Sequence, residues 1–193
     1  MKGRLIIFSG PSGTGKSSII RLLHQSRPEL NLGFSVSATS RPPRPGEEEG
    51  KAYYFLSPEE FKKLIDEDKF LEWEEVYEGN YYGTLKSEID RLLADGYNVV
   101  LDIDVKGGMN VKKIYGPDAL AVFIKPPSLD DLETRLRSRN TESEASLRRR
   151  LQKAIFELSY ADRYDEVVVN GDLACAADEV ARKILNFNKE SDA

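Results

Sequence analysis

The amino-acid sequence predicts an α/β fold in which helices flank a parallel sheet and a β-rich insertion interrupts it. Short continuous apolar runs, such as residues 5–8, are typical of strands that are buried on both faces. Helical patterns alternate with these strands, which is the order that right-handed crossovers in a parallel sheet require. Residues 34–84 depart from this order because they are rich in aromatic, strand-like segments, and we interpret them as the insertion.

The length and composition indicate a globular protein of one domain, or of one domain with a small insertion. The chain has 193 residues, a net charge of −5 and 40% hydrophobic residues, and none of its apolar runs is long enough to span a bilayer. An acidic balance disfavours general nucleic-acid binding. Cys175 is the one cysteine, so no internal disulfide can form, and with His24 as the one histidine a zinc site has almost no ligands. We expect a cytoplasmic protein that has neither a membrane nor a nucleic acid as its partner.

The first half of the chain alternates strands with strong loop and cap signals. After the strand at 5–8 comes a glycine-rich loop, and a helix then extends towards Pro28. A strand is expected over 33–38, followed by a loop that is rigid because it contains three prolines. Ser57 and Glu60 form a capping-box pattern for a helix that is expected to end near residue 68. Aromatic alternation then predicts a strand over 70–77, which a turn at 78–80 ends.

The second half of the chain predicts the remaining strands and helices of the core. Four helices are expected: one over 86–94, one that begins at residue 129, a long one that continues to about residue 161, and one over 173–187. Strands are expected over 97–104, 119–124 and 167–169. Trp73 is expected in the core, and residues 47–49 are expected to form a solvated acidic turn.

A phosphate-binding loop is the most specific motif in the sequence. Residues 10–17 match G-x-x-x-x-G-K-[ST] completely, between a predicted strand and a predicted helix. The glycines allow backbone N–H groups to surround a phosphate, and the helix dipole favours the same anion. Lys16 is expected to reach the β- and γ-phosphates of a nucleoside triphosphate, and Ser17 to bind Mg²⁺. The predicted ATP-binding residues of this loop are Gly10, Pro11, Ser12, Gly13, Thr14, Gly15, Lys16 and Ser17.

Two further groups of residues are candidates for the site. Asp102 and Asp104 are expected at the carboxyl end of a parallel strand, where ligands bind and a carboxylate can organise Mg²⁺; the alternative is a helix cap or a strand-end salt bridge. Arg41 and Arg44 lie three residues apart on the proline-rich loop, a spacing that suits a second, monophosphate anion. Hydroxyl donors for that anion are available from tyrosines at 53 and 82, which are otherwise ordinary strand aromatics.

These segments, taken together, resemble the guanylate kinase family over nearly the whole chain. The segments that agree in order are 10–17, 33–37, 41–44, 50–53, 72–73, 79–83 and 101–104. The resemblance implies that guanine is surrounded by Ser37, Glu72, Thr84 and Asp104, and that the GMP phosphate is held by Arg41, Arg44, Tyr53 and Tyr82. It also makes Asp102 a GMP-binding residue and places it nearer the metal and the transferring phosphate. It also implies that Arg139 and Arg150, on a lid segment at 135–150, reach the phosphates, and that Asn170 contacts the adenosine of ATP, the alternative being a turn asparagine before Gly171.

The chemistry of guanine agrees with this assignment. An ionised Glu72 only accepts hydrogen bonds, so it can accept from both N1–H and the N2 amino group, whereas adenine presents an acceptor at N1. The hydroxyls of Ser37 and Thr84 are expected to donate to O6. Thr84 stands where the family often has serine, and the hydroxyl is kept.

The sequence therefore predicts an enzyme that transfers the γ-phosphoryl group of ATP to GMP with Mg²⁺. The core is expected over 1–33 and 85–193, and the GMP-binding insertion over 34–84. The catalytic residues are expected to be Lys16, Arg41, Asp102, Arg139 and Arg150. Two alternatives remain: a kinase for a different phosphorylated acceptor, and a guanylate-kinase-like module that binds proteins without turnover. The oligomeric state does not follow from the sequence.

Overall fold

The computed structural model describes residues 3–138 and 144–190, and the chain forms two compact units. The smaller unit contains Gly33–Val99, and the larger unit contains Arg4–Leu32 and Val100–Ala193. Each unit has its own buried apolar cluster. The predicted α/β class is confirmed.

The elements follow the predicted alternation of strands and helices. The strands are β1 (Leu5–Ser9), β2 (Leu32–Phe34), β3 (Ala38–Thr39), β4 (Tyr54–Phe55), β5 (Phe70–Tyr77), β6 (Asn80–Leu85), β7 (Asn98–Asp102), β8 (Ala119–Lys125) and β9 (Glu166–Val169). The α-helices are α1 (Lys16–Ser26), α2 (Pro58–Asp66), α3 (Lys86–Ala94), α4 (Val105–Tyr115), α5 (Leu129–Arg137), α6 (Glu144–Leu158) and α7 (Leu173–Glu190). No helix within residues 3–138 and 144–190 is both long enough and apolar enough to cross a membrane.

A five-stranded sheet has the order β2-β7-β1-β8-β9, and β8 pairs in parallel with both β1 and β9. Residues 5–8 of β1 are completely buried, as the continuous apolar run predicted. Ile6 and Phe8 belong to an apolar cluster with residues of α1 and α7, whereas Gly108 of α4 lies against Ile7. Because successive side chains of a strand point to opposite faces, helices cover both faces of this sheet.

The smaller unit contains a four-stranded sheet of order β4-β3-β6-β5. β6 runs antiparallel to both β3 and β5, and β3 runs parallel to β4. Helix α2 begins with the predicted capping box, in which Ser57 and Glu60 exchange side-chain-to-backbone hydrogen bonds. Phe61 of α2 stacks on Phe70 of β5 with ring centroids 4.3 Å apart, and this pair anchors the helix on the sheet.

The strand predicted over 33–38 is wrong as one element. The chain there passes from β2 in the five-stranded sheet to β3 in the four-stranded sheet, and the residues between them connect the two. Smaller differences occur at helix ends: α2 ends at Asp66, α6 at Leu158 and α7 at Glu190.

Helix α4 was not predicted from the sequence. The predicted strand over 97–104 ends at Asp102, and Asp104 is the N-cap of α4, accepting from the backbone N–H groups of Lys106 and Gly107 at 2.7 and 2.9 Å. Two consecutive glycines weaken the helical pattern of this segment. Packing requires the second glycine, because a Cβ on Gly108 would lie 2.5 Å from the Tyr164 hydroxyl.

Candidate active site

The phosphate loop connects β1 to α1 through backbone conformations that favour glycine. Gly10 and Gly15 have φ angles of 136° and 90°. A Cβ on Gly10 would lie 2.1 Å from the carbonyl oxygen of Ile124, and one on Gly15 would lie 2.3 Å from Asn170 Nδ2. The loop therefore has its predicted form, a tight turn that aims the N-terminus of α1 at the space it encloses.

The Asn170 side chain supports this loop through a hydrogen bond to its backbone. Its side chain is buried, and Nδ2 donates to the carbonyl oxygen of Thr14 at 2.7 Å. The Asn170 backbone carbonyl accepts from Arg135 Nη2 at 2.8 Å, and Thr14 Oγ1 donates to the Pro11 carbonyl at 2.9 Å. These bonds fix the loop, and a contact of Asn170 with adenosine remains a prediction.

We predict that Asn170→Ala lowers the melting temperature. The substitution leaves the carbonyl of the fully buried Thr14 without its amide donor. Such a loss costs about 1–3 kcal/mol, and each kcal/mol lowers Tm by roughly 2–4 °C in a chain of this size. Differential scanning calorimetry checks this against Asn110→Ala, an exposed asparagine on α4. Equal melting temperatures for the two variants would contradict the supporting role.

Lys16 and Ser17 begin α1, and both lie beside Asp102 at the end of β7. Lys16 Nζ donates to the Gly10 carbonyl at 2.6 Å and lies 4.0 Å from Asp102 Oδ1. Ser17 Oγ donates to Asp102 Oδ2 at 3.1 Å. The structure therefore brings together the ammonium, the hydroxyl and one of the two predicted carboxylates.

A cavity of about 310 Å³ lies next to the phosphate loop. Its lining residues are Gly10, Ser12, Gly13, Gly15, Lys16, Ser17, Ser18, Asp102, Ile103, Asp104 and Glu157. Asp104 reaches this cavity as the N-cap of α4. The prediction that it ends a strand is therefore wrong, and the alternative that it caps a helix is confirmed.

Glu157 of α6 lines the same cavity, and sequence reasoning missed it. Its side chain is buried, with Oε1 3.8 Å from Lys153 Nζ. Burial raises the pKa of Glu157; the ammonium groups of Lys153 and Lys16 oppose this shift, and Asp104 adds to it. No motif surrounds Glu157, so only the folded chain shows that a carboxyl group lies here.

We predict that Glu157→Gln raises the melting temperature more at pH 8 than at pH 4. The folded-state pKa of Glu157 lies above the ordinary value of 4.5, so ionisation costs stability. The stability associated with the protonated carboxyl is complete below the unfolded pKa and is lost as the pH rises through the folded pKa. Calorimetry of both proteins at the two pH values measures the difference. The same difference at both pH values would contradict the raised pKa.

The smaller unit pairs Glu72 with Thr84. The two residues face each other across β5 and β6, and Thr84 Oγ1 donates to Glu72 Oε1 at 2.6 Å. A carboxylate cannot donate, so the Thr84 proton is committed to Glu72. Thr84 therefore orients the carboxylate in this structure, whereas the sequence analysis expected its proton to reach the guanine O6.

Arg41, Tyr53 and Tyr82 form one cluster on the smaller unit, as the anion-site prediction requires. Arg41 Nε donates to the Tyr82 hydroxyl at 3.1 Å, and the guanidinium carbon lies 5.1 Å from the Tyr53 ring centroid. Ser37 is half-buried between β2 and β3, and the Arg44 side chain is exposed.

Glu47 joins this cluster, and the solvated turn expected over 47–49 is wrong at this position. Arg41 donates to both carboxylate oxygens of Glu47 at 2.7 Å, and the backbone N–H of Arg44 donates to Oε2 at 2.8 Å. These bonds lower the pKa of Glu47 to about 2. Trp73, expected in the core, is 47% exposed on β5.

The lid segment is described only in part. Arg139 lies outside the described residues, so its predicted role remains a prediction. Arg150 Nη1 donates to Ser12 Oγ of the phosphate loop at 3.3 Å. Arg137 bonds to Glu133 and Glu144, and these bonds occupy its guanidinium away from the loop. Arg148 and Arg149 are exposed.

Comparison with known proteins gives consistent results. The family profile described as "Guanylate kinase" matches residues 2–186. The guanylate kinase of Bacteroides thetaiotaomicron is 50% identical over 191 residues, which cover 98% of this chain and 93% of the relative. That of Porphyromonas gingivalis is 50% identical over 184 residues, covering 95% of this chain and 97% of the relative.

Solved structures show the same fold. The guanylate kinase of Anaplasma phagocytophilum aligns with a TM-score of 0.67 at 31% identity, covering 96% of this chain and 86% of that protein. A gluconokinase from Sinorhizobium meliloti aligns with a TM-score of 0.51 at 17% identity, covering 98% and 95% of the two chains, and this likeness concerns the fold alone.

Proposed function

Because the chain belongs to the guanylate kinase family, we propose that it transfers the γ-phosphoryl group of ATP to GMP with the residues described above. It is an ATP-dependent nucleoside monophosphate kinase, and its products are ADP and GDP. The observation that carries the proposal is the complete phosphate loop, folded between β1 and α1 with Lys16 and Ser17 beside Asp102.

ATP binds through its phosphates to residues 10–17 in this proposal. The backbone N–H groups of the loop and the N-terminus of α1 supply hydrogen bonds and positive potential. The Lys16 ammonium neutralises charge on the β- and γ-phosphates as the transfer proceeds. Arg150, already bonded to Ser12, adds a second positive charge at the loop.

The residues around Ser17 suit Mg²⁺. The Ser17 hydroxyl and the Asp102 carboxylate are hard oxygen donors in hydrogen-bond contact, and Mg²⁺ prefers such donors together with phosphate oxygens and water. No group of three or more histidine, cysteine or acidic side chains within the described ranges forms a separate metal cage. Ser17 would therefore hold the ion with Asp102 nearby, and bound Mg²⁺ neutralises phosphate charge.

GMP is recognised at both ends. Its phosphate is bound by Arg41, Arg44, Tyr53 and Tyr82. Its guanine donates from N1–H and the N2 amino group to Glu72, which Thr84 orients. The Ser37 hydroxyl donates to O6. The roles of Asp102 and Asp104 towards GMP, and of residues 34–84 as a GMP-binding insertion, remain proposals from the family resemblance.

The reaction needs no protein nucleophile. An oxygen of the GMP phosphate forms a bond to the γ-phosphorus, the bond from that phosphorus to the bridging oxygen breaks, and ADP leaves with the electron pair. The protein contributes alignment and charge stabilisation, which together account for most of the acceleration in phosphoryl transfer.

The proposal is tested by measuring ADP release from ATP and Mg²⁺ with GMP, AMP, CMP or UMP as the acceptor. We expect GMP to give the highest kcat/KM by a wide margin. Preference for another acceptor would favour the alternative that the protein is a kinase for a different phosphorylated acceptor. ATP binding without turnover on any acceptor would favour the interaction module.

A further inference from the structure

Two buried hydroxyl groups meet beside the connection between β7 and α4. Ser9 ends β1, immediately before the phosphate loop, and is completely buried, whereas Tyr164 lies just before β9 and is 7% exposed. A hydrogen bond joins the two side chains. A Cβ on Gly108 of α4 would lie 2.5 Å from the Tyr164 hydroxyl oxygen and 2.7 Å from Ser9 Oγ. Glycine at this position therefore allows the backbone of α4 to pack directly on the hydroxyl pair.

The two hydroxyls bind the carbonyl groups of three consecutive residues. Ser9 Oγ donates to the Ile103 carbonyl at 2.9 Å and lies 3.3 Å from the carbonyl oxygen of Asp104. The Tyr164 hydroxyl donates to the Val105 carbonyl at 3.3 Å. These three residues lead from the end of β7 into the first turn of α4, so the hydroxyl pair fixes the backbone of the connection.

The Tyr164 side chain is held in place and keeps its proton. Its ring packs edge to face against the ring of Phe123 in β8, with centroids 5.2 Å apart. Burial raises the pKa of Tyr164 to about 12, although the hydrogen bond with Ser9 opposes this shift. The charges of Asp104 and Glu157 add to the rise. The hydroxyl therefore remains a hydrogen-bond donor throughout the neutral pH range.

The connection carries two carboxylates of the cavity beside the phosphate loop. Asp102 lies at its start, where Oδ2 accepts from Ser17 Oγ at 3.1 Å and Oδ1 lies 4.0 Å from Lys16 Nζ. Asp104 is bonded to the backbone of α4 as its N-cap, whereas Asp102 is the last residue of β7 and depends on the chain that follows it. A shift of the connection would therefore move Asp102 relative to the phosphate loop.

We propose that Tyr164 is a positioning residue for phosphoryl transfer: together with Ser9 it fixes the β7–α4 connection and thereby holds Asp102 at the phosphate loop. This inference rests on the proposed function, in which Asp102 lies near the Mg²⁺ that accompanies ATP. The Tyr164 hydroxyl touches no substrate and acts only through the backbone that it binds. Because buried hydrogen bonds in one network support each other, removal of either hydroxyl weakens the hold on the connection.

The test compares ATP binding by Tyr164→Phe and by the wild type, using titration calorimetry with excess Mg²⁺ and, separately, with EDTA. Phenylalanine keeps the ring against Phe123 and removes only the hydroxyl. We expect the Kd for ATP with Mg²⁺ to rise about two- to tenfold, which corresponds to the loss of one neutral hydrogen bond. The Kd with EDTA should stay within about twofold, because ATP without the ion does not use Asp102.

Activity gives a second readout, and two further variants accompany it. The kcat of Tyr164→Phe at saturating substrates should fall about two- to tenfold. Ser9→Ala removes the other hydroxyl and should show the same pattern in binding and in kcat. The matched control is Tyr160→Phe, since the contacts of Tyr160 with Phe156 and Arg163 are made by its ring. This control should leave kcat and both Kd values unchanged.

A double-mutant cycle tests whether the effect passes through Asp102. In an Asp102→Asn background, Tyr164→Phe should change the Kd for ATP with Mg²⁺ by less than about twofold, because the carboxylate that it positions is already absent. The full loss in this background would exclude the proposed route.

Two other outcomes would overturn the inference. Equal losses of ATP affinity with Mg²⁺ and with EDTA would show that the hydroxyl supports the phosphate loop in general. Wild-type affinity and kcat in both Tyr164→Phe and Ser9→Ala would exclude a positioning role. ATP binding is measured without GMP, so these outcomes are separate from a failure of the proposed function, in which the wild-type protein transfers no phosphate to GMP.

Discussion

Lys16→Ala should lower kcat by about 100- to 1,000-fold or more, the loss expected when one preorganised charge is removed from a transition state. The Lys16 ammonium lies in the phosphate loop, where it donates to the Gly10 carbonyl, and its charge stabilises the migrating phosphoryl group. Steady-state assays at saturating ATP and GMP measure this loss.

The control for this substitution is Lys63→Ala, which removes an exposed lysine from α2. Its kcat should equal that of the wild type. Circular dichroism should show that both variants remain folded. If the folded Lys16→Ala protein loses less than about tenfold in kcat, the loop is not the catalytic phosphate site.

Glu72→Gln should narrow the preference for GMP over AMP. The amide presents an NH₂ towards guanine N1–H or N2–H₂, donor against donor. A lost charge-assisted bond with an unpaired donor costs about 1.5–3 kcal/mol, or roughly 10- to 150-fold in kcat/KM for GMP. The same amide can donate to adenine N1 and accept from the N6 amino group, so the kcat/KM for AMP should fall less than that for GMP.

The control is Glu74→Gln, an exposed residue two positions along β5. It should leave the GMP/AMP ratio of kcat/KM unchanged. Measuring that ratio and Tm on each variant separates recognition from structure. A lower Tm with an unchanged ratio in Glu72→Gln would assign Glu72 a structural role, as the partner of the Thr84 hydroxyl.

Features that depend on local chemistry were predictable from the sequence. The phosphate loop follows from its glycines, and the start of α2 follows from the Ser57–Glu60 capping box. The buried β1 strand follows from its continuous apolar run, because parallel strands with helices on both faces have no polar side.

Features that depend on distant partners were not predictable. Helix α4 has two glycines in its sequence, and Gly108 is needed only because Tyr164 and Ser9 lie against it. The burial of Glu157 depends on the position of α6 beside the phosphate loop. The sequence around Gly108 and Glu157 does not show which distant residues pack against them.

The Arg41–Glu47 pair shows the same limit at short range. The two residues are six positions apart in an irregular loop, a separation to which no helical or strand period applies. Three adjacent glutamates are typical of a solvated turn, and only the folded loop distinguishes Glu47 from its neighbours. Trp73 lies on the same face as the buried Tyr81, with ring centroids 6.3 Å apart, but β5 is an edge strand of the four-stranded sheet and 47% of Trp73 is exposed.

The most direct test of the central claim is to follow labelled phosphate from ATP. Purified wild-type protein is incubated with GMP, Mg²⁺ and ATP that carries the label at its γ-phosphate, and the products are separated. Direct transfer predicts that the label appears in the β-phosphate of GDP, with one ADP formed for each GDP. Label recovered as free phosphate, or retained in ATP while GMP is present in excess, would contradict the assignment.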